Sequence, residues 1–346
     1  MAGTDKKKKS PIVFFFAALL AIVVVMFIAN RESVLVERVR FPFNNGVVKL
    51  STDKNFLVAV CLDNKVYVWD WDNLPEKPQI GLAQSHQAVL MKSDMVVSLR
   101  EQSPKALIVT DLKGDKKHKD IPIASYDGRA YLGVSRDRSA VALLVEGKTS
   151  YKISIVDPDE GKIEPVVTMA GEAAESRVGD LAVSDDGALV VLFGEKDGCG
   201  WLILVNLKQR RVVWEKQVPE LRLFFDAVFS PDSEVVYARG SDSTLYKIET
   251  ASGKILDRLL PLKKNKSTLT HSSTQTVAVS PDGQLVAAIV SSTFYVWDRN
   301  TGKKIFGKTP GHKIESGLAF SPDSRFLATS DLRQGGTINI WRLPGR

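Results

Sequence analysis

The sequence predicts an all-β fold, a seven-bladed β-propeller, preceded by a single transmembrane α-helix. A turn motif headed by a serine recurs seven times, and the intervals between copies run from 41 to 50 residues. An alternating apolar strand follows each copy after roughly twenty residues, so the two markers recur together. A period in the forties with such strands is typical of propeller blades. The predicted helix comes from an uncharged apolar stretch near the amino terminus.

The amino-terminal end divides into a basic tail, residues 1–10, and a predicted transmembrane helix, residues 11–30. Its core, residues 12–29, holds eighteen residues without a charge, enough for about 27 Å of helix against a hydrocarbon thickness of about 30 Å. A cleaved signal peptide is the alternative, but its apolar run should have about 7–15 residues and end in small residues. Phe27 stands where a small residue is needed before Ala29. We therefore expect an uncleaved anchor that places residues 12–29 in the lipid bilayer.

The charged residues that flank this segment predict its orientation. Four lysines, residues 6–9, precede it, whereas the following side carries three arginines interleaved with Glu32 and Glu37. The positive-inside rule puts the amino terminus in the cytoplasm and the propeller on the extracytoplasmic side, which is the periplasm in a bacterium. The alternative is a cytoplasmic propeller, and the two cysteines, Cys61 and Cys199, would suit that compartment.

The remaining chain, residues 31–346, carries the repeats. The turns begin at Ser51, Ser93, Ser135, Ser184, Ser230, Ser280 and Ser321. In the best copies Pro fixes φ near −65° at the second position, and Asp bonds its own backbone at the third. These copies are Ser230-Pro231-Asp232, Ser280-Pro281-Asp282-Gly283 and Ser321-Pro322-Asp323. Gly283 tolerates the positive φ that ends its turn.

The third strand of each repeat follows, and two of these strands end in Trp-Asp, at Trp69-Asp70 and Trp297-Asp298. Residues 338–342 form the third strand of the seventh repeat, and no fourth strand follows them. We expect the early strand pattern at 33–40 to supply this missing strand, so that the two ends of the propeller close the ring. The lysine-rich run at 113–119 is expected to link the second repeat to the third.

The chain from about residue 33 to residue 346 resembles the WD40-repeat family of seven-bladed propellers, most specifically in the last two repeats. Gly311-His312, the turn at 320–323 and Trp341 follow the order of the family's GH, turn and Trp markers. The resemblance implies a buried hydrogen-bonded group in the last blade, formed by His312, Ser330, Asp331 and Trp341. It also implies a protein that binds other proteins and has no chemistry of its own.

Residues suited to catalysis are sparse. The four histidines lie in different repeats, and no pair has the spacing of metal ligands. The sequence contains no Gly-rich phosphate loop, Gly-x-Ser-x-Gly elbow or His-Glu-x-x-His motif. We therefore expect no catalytic residue, no cofactor and no metal. The net charge is +7, of which residues 1–30 contribute four lysines less Asp5, and the mild remainder argues against a nucleic-acid partner.

Two functions remain open. The favoured one is a membrane-anchored, non-catalytic scaffold or assembly subunit that holds other proteins at the membrane. The alternative is an extracytoplasmic propeller enzyme or sensor, such as a lactonase-like hydrolase with a cation in its central channel. That function needs carboxylates that converge on the channel. Asp180 and Asp226 are the candidates, because each precedes an apolar first-strand run.

Overall fold

The structure is a computed structural model that describes most of the chain from residue 35 onward. The described residues are 35–40, 46–52, 56–61, 65–74, 78–82, 87–91, 95–100, 102, 104–111, 118–124, 126, 128–170, 176–259, 276–290, 293–308, 316–330 and 337–346. They form seven four-stranded antiparallel sheets, which confirms the all-β, seven-bladed propeller. None of the helices in these residues is long and apolar enough to cross a membrane. The predicted span at 12–29 lies outside the described residues.

In blades one to six the strands run in sequence order from the central channel to the rim. Before the first blade comes β1 (Leu35–Arg40). Blade one contains β2 (Val47–Thr52), β3 (Phe56–Cys61), β4 (Lys65–Asp70) and β5 (Gln79–Leu82), with a 3-10 turn at Trp71–Asn73. Blade two contains β6 (Ala88–Leu90), β7 (Met95–Arg100), β8 (Ala106–Asp111) and β9 (His118–Pro122). Blade three contains β10 (Ala130–Val134), β11 (Val141–Glu146), β12 (Ser150–Asp157) and β13 (Lys162–Ala170).

The other four blades repeat this plan. Blade four contains β14 (Ser176–Val183), β15 (Leu189–Lys196), β16 (Cys199–Asn206) and β17 (Arg211–Val218). Blade five contains β18 (Phe224–Phe229), β19 (Val235–Gly240), β20 (Leu245–Glu249) and β21 (Ile255–Leu259). Blade six contains β22 (Val277–Val279), β23 (Leu285–Val290), β24 (Thr293–Asp298) and β25 (Lys304–Lys308). Blade seven contains β26 (Ser316–Phe320), β27 (Phe326–Ser330), β28 (Thr337–Arg342) and β1.

Blade seven joins the two ends of the described chain. Its strand order is β1-β28-β27-β26, so residues 35–40 occupy the outer-strand position that the sequence pattern at 33–40 suggested. β1 runs antiparallel to β28, with Leu35 opposite Trp341 and Arg40 opposite Thr337. The hydrogen bonds of this pair hold the ring closed, because they connect strands from opposite ends of the sequence.

The turn between the first and second strands has the same hydrogen bonds in blades three to seven. The serine hydroxyl donates to the Oδ1 of the aspartate two residues later, over 2.5–2.7 Å. The same hydroxyl oxygen accepts from the backbone N–H five residues later, over 2.9–3.0 Å. Serine and aspartate therefore fix the turn even where the second residue is not proline. We call the side of the propeller that carries these turns the turn face.

In each Trp-Asp pair, the tryptophan packs in the core and the aspartate accepts hydrogen bonds from the next turn. Trp69 and Trp297 are 3% and 1% exposed, and Trp297 packs in a core shared with Tyr237 of blade five. Burial of such a ring stabilises the contact between blades by roughly 2–3 kcal/mol. Asp298 Oδ1 accepts hydrogen bonds from the N–H groups of two turn residues over 3.0 and 2.8 Å, and Asp70 Oδ1 accepts one over 2.9 Å. The aspartates thus cap the turn that leads to the fourth strand.

The lysine-rich run at 113–119 does not link blade two to blade three, so that prediction is wrong. β8 ends at Asp111 and β9 begins at His118, which places residues 112–117 between the third and fourth strands of blade two. The fourth strand was overlooked because its sequence, His-Lys-Asp-Ile-Pro, contains a single large aliphatic residue. A strand with so little apolar alternation has almost no signal in the sequence.

Candidate functional site

The first strands of the blades surround a central cavity of about 410 Å³. Its walls are mainly apolar and include Val58, Val60, Leu90, Leu181, Phe225 and Phe320. Two charged groups interrupt these walls. We call Arg136, Asp137 and Asp185 the mouth group, because they lie in turns of the turn face, and we call Lys49, Asp180 and Asp226 the wall group, because they lie on first strands.

The second residue of the turn lines the mouth of the channel in several blades. Pro281 and Pro322 line the cavity from blades six and seven. Arg136 and Asp185 hold the same turn position in blades three and four, and both also line the cavity. Neighbouring blades therefore place a charged pair at a position that carries proline in blades five, six and seven.

Arg136 reaches across the channel. Its Nη2 donates a hydrogen bond of 3.2 Å to the carbonyl oxygen of Val279 in blade six. Its Nε lies 3.5 Å from Oδ1 of Asp185 in blade four. Its Nη1 is buried and has no hydrogen-bond partner among the described residues. Burial lowers the pKa of the guanidinium, and the charge of Asp185 opposes this shift. Arg136 thus has one enclosed N–H donor that the described residues do not pair.

Asp185 is a carboxyl group with a raised pKa. Burial raises its pKa to about 6, and Arg136 offsets this effect only in part. The charge of the neighbouring Asp137 raises the pKa further. The side chains of Arg136 and Asp185 are 26% and 24% exposed, so the pair is half-buried and water reaches it from the turn face. The mouth group is therefore both charged and accessible.

A second charged system joins blades five and six inside the wall. Asp226 Oδ2 accepts hydrogen bonds from the backbone N–H of Thr276, over 2.5 Å, and of Val277, over 2.7 Å. Arg239 Nε donates to the Thr276 hydroxyl over 2.8 Å. Burial raises the pKa of Asp226 to about 6 and lowers that of Arg239 to about 10. Both side chains are engaged within the protein, so this system holds two blades together.

Asp180 and Asp226, the two acids expected to face the channel, both line the cavity. Burial raises the pKa of Asp180, and the charge of Lys49 opposes the shift. Hard cations need several oxygen ligands around one point. In the described part of the chain, no three His, Cys, Asp or Glu side chains form a group that could hold a metal ion. One carboxylate oxygen of Asp226, Oδ2, already accepts two backbone N–H groups.

Of the hydrogen-bonded group expected in the last blade, the structure describes Ser330 and Trp341. His312 and Asp331 lie outside the described residues. The indole Nε1 of Trp341 donates to the hydroxyl of Thr329 over 2.9 Å, one residue before the expected Ser330. Thr329 could have been found from the strand pairing, because it lies diagonally opposite Trp341 on the same face of the sheet. The group of His312, Ser330, Asp331 and Trp341 stays a prediction.

The mouth group was missed in the sequence. Its two turns, at 135–137 and 184–186, read as weakened copies of the Ser-Pro-Asp motif. The available signal was the replacement of proline by a charged residue at the same position in two consecutive repeats. The Ser and Asp of these turns make the hydrogen bonds that hold the turn, so the second residue can vary without loss of the fold. The charged replacements could therefore be recognised as a site only once the turn geometry was known.

Seven four-stranded sheets around a central channel define this protein as a β-propeller. Two segments match the family model described as WD domain, G-beta repeat, at residues 42–70 and 303–342. The first segment covers β2 to β4, and the second covers β25 to β28. Together with the seven blades, these matches support a WD40-type propeller. A comparison with curated proteins found no match.

The WD40 propeller fold suggests a scaffold for interactions between proteins, and propellers of this kind are typically not enzymes. The mouth group is suited to such a role. It places a guanidinium and two carboxylates beside proline and apolar surface, and arginine within an apolar setting is a frequent anchor of protein interfaces.

Proposed function

We propose that this protein is a membrane-anchored, non-catalytic scaffold or assembly subunit whose propeller binds other proteins. The observation that carries the proposal is the closed, WD40-type ring with a charged, half-buried mouth group at the centre of its turn face. Along the wall, Asp180 and Asp226 accept backbone N–H groups, whereas the mouth group lies at the end of the channel that faces a partner.

The anchor is the apolar segment at 12–29, which crosses the bilayer once and is not cleaved. The short lysine-containing tail lies in the cytoplasm, and the propeller lies on the extracytoplasmic side, with the cytoplasmic side as the alternative. The partners are proteins that are embedded in the same membrane or associated with it, since the propeller stays within reach of the bilayer surface. Nucleic acid is not a partner in this proposal.

The proposed contact site on the propeller is the mouth group. About a quarter of the Arg136 side chain is exposed, so a carboxylate of a partner that enters the mouth is attracted to this guanidinium. Asp185 and Asp137 add acceptors beside it. A partner loop that presents an acidic or amide side chain to the channel mouth fits this arrangement.

Affinity capture of the full-length protein from detergent-solubilised membranes tests the scaffold. We expect the same membrane proteins to co-purify with the wild type and with a variant whose segment 12–29 is replaced by an unrelated apolar span. Arg136→Ala should reduce their recovery by about tenfold, which corresponds to the loss of one interface anchor. Arg211→Ala, on the exposed rim of blade four, should leave recovery unchanged. If all forms elute alone and monodisperse, the scaffold is refuted and an assay of channel cations and hydrolase activity takes its place.

Labelling with a membrane-impermeant thiol reagent tests the location. Thr149 is exposed in a turn of blade three, and Thr149→Cys in a Cys199→Ser background offers one accessible thiol, because Cys61 is fully buried. The extracytoplasmic proposal requires labelling of intact cells. Labelling that occurs only after the cells are permeabilised would instead support the cytoplasmic alternative.

A further inference from the structure

The exposed apolar side chains of the described propeller are concentrated on one sector of its rim. The large hydrophobic residues that are more than a third exposed are Leu35, Val36, Leu256 and Ile305. They lie on β1, β21 and β25, which are the outer strands of blades seven, five and six. These three blades are consecutive in the ring, so the side chains form one sector, which we call the apolar rim.

The middle of the apolar rim is basic. Lys303, Lys304 and Lys308 are exposed around Ile305, and the stretch 301–308 contains no acidic residue. None of these lysines forms an ion pair with a described residue, although Lys304 lies over the ring of Tyr295 at 5.5 Å. A strand that carries exposed lysines on both sides of an exposed isoleucine matches the chemistry of an anionic lipid surface.

The opposite side of the rim lacks both features. Among the described residues of the outer strands β13 and β17, no large hydrophobic side chain is more than a third exposed. Ion pairs occur among the charges there, since Arg210 pairs with Glu164 and Glu215 pairs with Lys196. Such a surface is an ordinary solvated rim, and the contrast shows that the apolar rim is not a general property of the outer strands.

The position of the predicted anchor favours a bilayer as the occupant of the apolar rim. Five residues, 30–34, separate the segment at 12–29 from β1, and a chain of that length spans at most about 18 Å. Leu35 and Val36 are the first described residues after this connection. A propeller tethered through blade seven therefore has blade seven beside the membrane, and blade six is the next blade around the ring.

We propose that the apolar rim rests on the bilayer surface, with anionic headgroups bound by the lysines of β25 and the exposed apolar side chains inserted at the headgroup boundary. This inference deepens the proposed function and rests on its membrane anchor. Blade six lies deepest because it is the middle blade of the sector. The channel axis then runs parallel to the membrane, and the turn face with its mouth group stays open to partners from the side.

The test places a reporter at the centre of the apolar rim and at a matched position on the opposite rim. Ile305→Cys and Thr168→Cys, each in a Cys199→Ser background, put an exposed thiol on β25 and on β13. The full chain is labelled with an environment-sensitive fluorophore and reconstituted into phosphatidylcholine vesicles that contain roughly a quarter phosphatidylglycerol. Nitroxide-labelled lipid should quench the fluorophore at residue 305 at least about twofold more than the one at residue 168. Equal quenching at both positions would overturn the proposal.

Charge reversal separates headgroup binding from simple proximity to the tether. The double variant Lys304→Glu and Lys308→Glu should lose most of the extra quenching at residue 305, by about twofold or more, because each lysine near an anionic surface attracts it. The control variant, Lys162→Glu on β13, should keep the extra quenching at residue 305. If quenching is equal in the double variant and the control, lysines do not hold the rim on the membrane and the proposal fails.

Two further measurements keep the outcomes distinct. Extraction of the same vesicles with alkaline carbonate reports on the anchor alone, so release of the full chain would refute the tether of the proposed function rather than the rim. In native membranes, protection of residue 305 from an aqueous thiol reagent, without lipid quenching in the vesicles, would mean that a protein covers the apolar rim. That result would overturn the bilayer as its occupant.

Discussion

Two charged contacts join neighbouring blades of this propeller, and they differ in how completely they are buried. Between blades five and six, Asp226 accepts two backbone N–H groups and lies 7% exposed. Between blades three and four, Arg136 and Asp185 face each other at 3.5 Å with about a quarter of each side chain exposed. Both contacts link first-strand regions around the same channel, so their difference lies in environment and not in position within the fold.

The comparison separates a structural contact from one that is suited to binding. The atoms of the Asp226 contact are engaged by residues that folding itself brings together, and their removal leaves buried polar groups unsatisfied. The Arg136 contact is looser, and its Nη1 has no hydrogen-bond partner among the described residues. A half-buried charge contributes little to stability, and the exposed part of the Arg136 side chain is available to a partner of opposite charge.

The largest expected effect is loss of stability on breaking the buried contact. Asp226→Ala leaves the N–H groups of Thr276 and Val277 without their acceptor and removes the negative charge that acts on the Arg239 guanidinium. We expect the free energy of unfolding to fall by about 3–5 kcal/mol, as for other broken buried pairs. Urea denaturation followed by tryptophan fluorescence measures this change. Asp185→Ala is the matched variant and should cost about 1 kcal/mol or less; a similar loss in both variants would remove the distinction between the two contacts.

The second effect is a dependence of stability on pH that comes from the buried contact. The pKa of Asp226 is raised from 3.8 to about 6 in the folded protein, so the folded state binds this proton more tightly than the unfolded state. Stability should therefore fall as pH rises from about 4 to about 7, by roughly 2–3 kcal/mol at most. Asp226→Asn cannot titrate, so its unfolding free energy should change less over that range than the wild-type value.

The pKa of Asp185 is also raised to about 6, so the difference between the wild type and Asp226→Asn isolates the part of the slope that comes from Asp226. Acids with a lowered pKa act in another pH range. Hydrogen bonds from the turn residues and Arg346 lower the pKa of Asp282 against the effect of its burial, and those from Thr301 and Asn300 lower that of Asp298. A lowered pKa has the opposite sign, because stability is then lost as pH falls through the folded value, and that range lies below about 4. Identical slopes for wild type and Asp226→Asn between pH 4 and 7 would show that Asp226 does not titrate there.

The sequence predicted the ring of blades because the fold depends on local turn chemistry. Serine and aspartate recur with a strand after each pair, and those two residues make the hydrogen bonds of the turn in blades three to seven. The mouth group was not predictable in the same way. Arg136 bonds to Val279, which lies 143 residues away, and no local pattern reports a contact across the channel. The sequence shows that the second turn residue differs between repeats. Whether that residue lines the channel depends on closure of the whole ring.

The third effect tests whether strong and weakened turn motifs contribute equally. Ser280 heads a Ser-Pro-Asp-Gly turn and Ser135 heads a Ser-Arg-Asp-Arg turn, yet both hydroxyls are fully buried and make the same two bonds. We expect Ser280→Ala and Ser135→Ala each to lower the free energy of unfolding by about 1–2 kcal/mol, through one unsatisfied backbone N–H. Denaturation midpoints of the two variants measure this. A loss at Ser280 alone would mean that the weakened turn tolerates other conformations.

The smallest expected effect on stability is at Arg136, and it is the sharpest test of the comparison. Arg136→Ala removes a half-exposed ion pair and one hydrogen bond to Val279, and it also removes a buried Nη1 that has no partner among the described residues. Since the last change is favourable, we expect a net loss below about 1 kcal/mol, while partner recovery falls as proposed above. Arg136→Lys keeps the charge but loses the forked donor, so it should match the alanine variant in partner binding. A loss of about 3 kcal/mol or more would make Arg136 a structural brace like Asp226, and the mouth group would then have no donor to offer a partner.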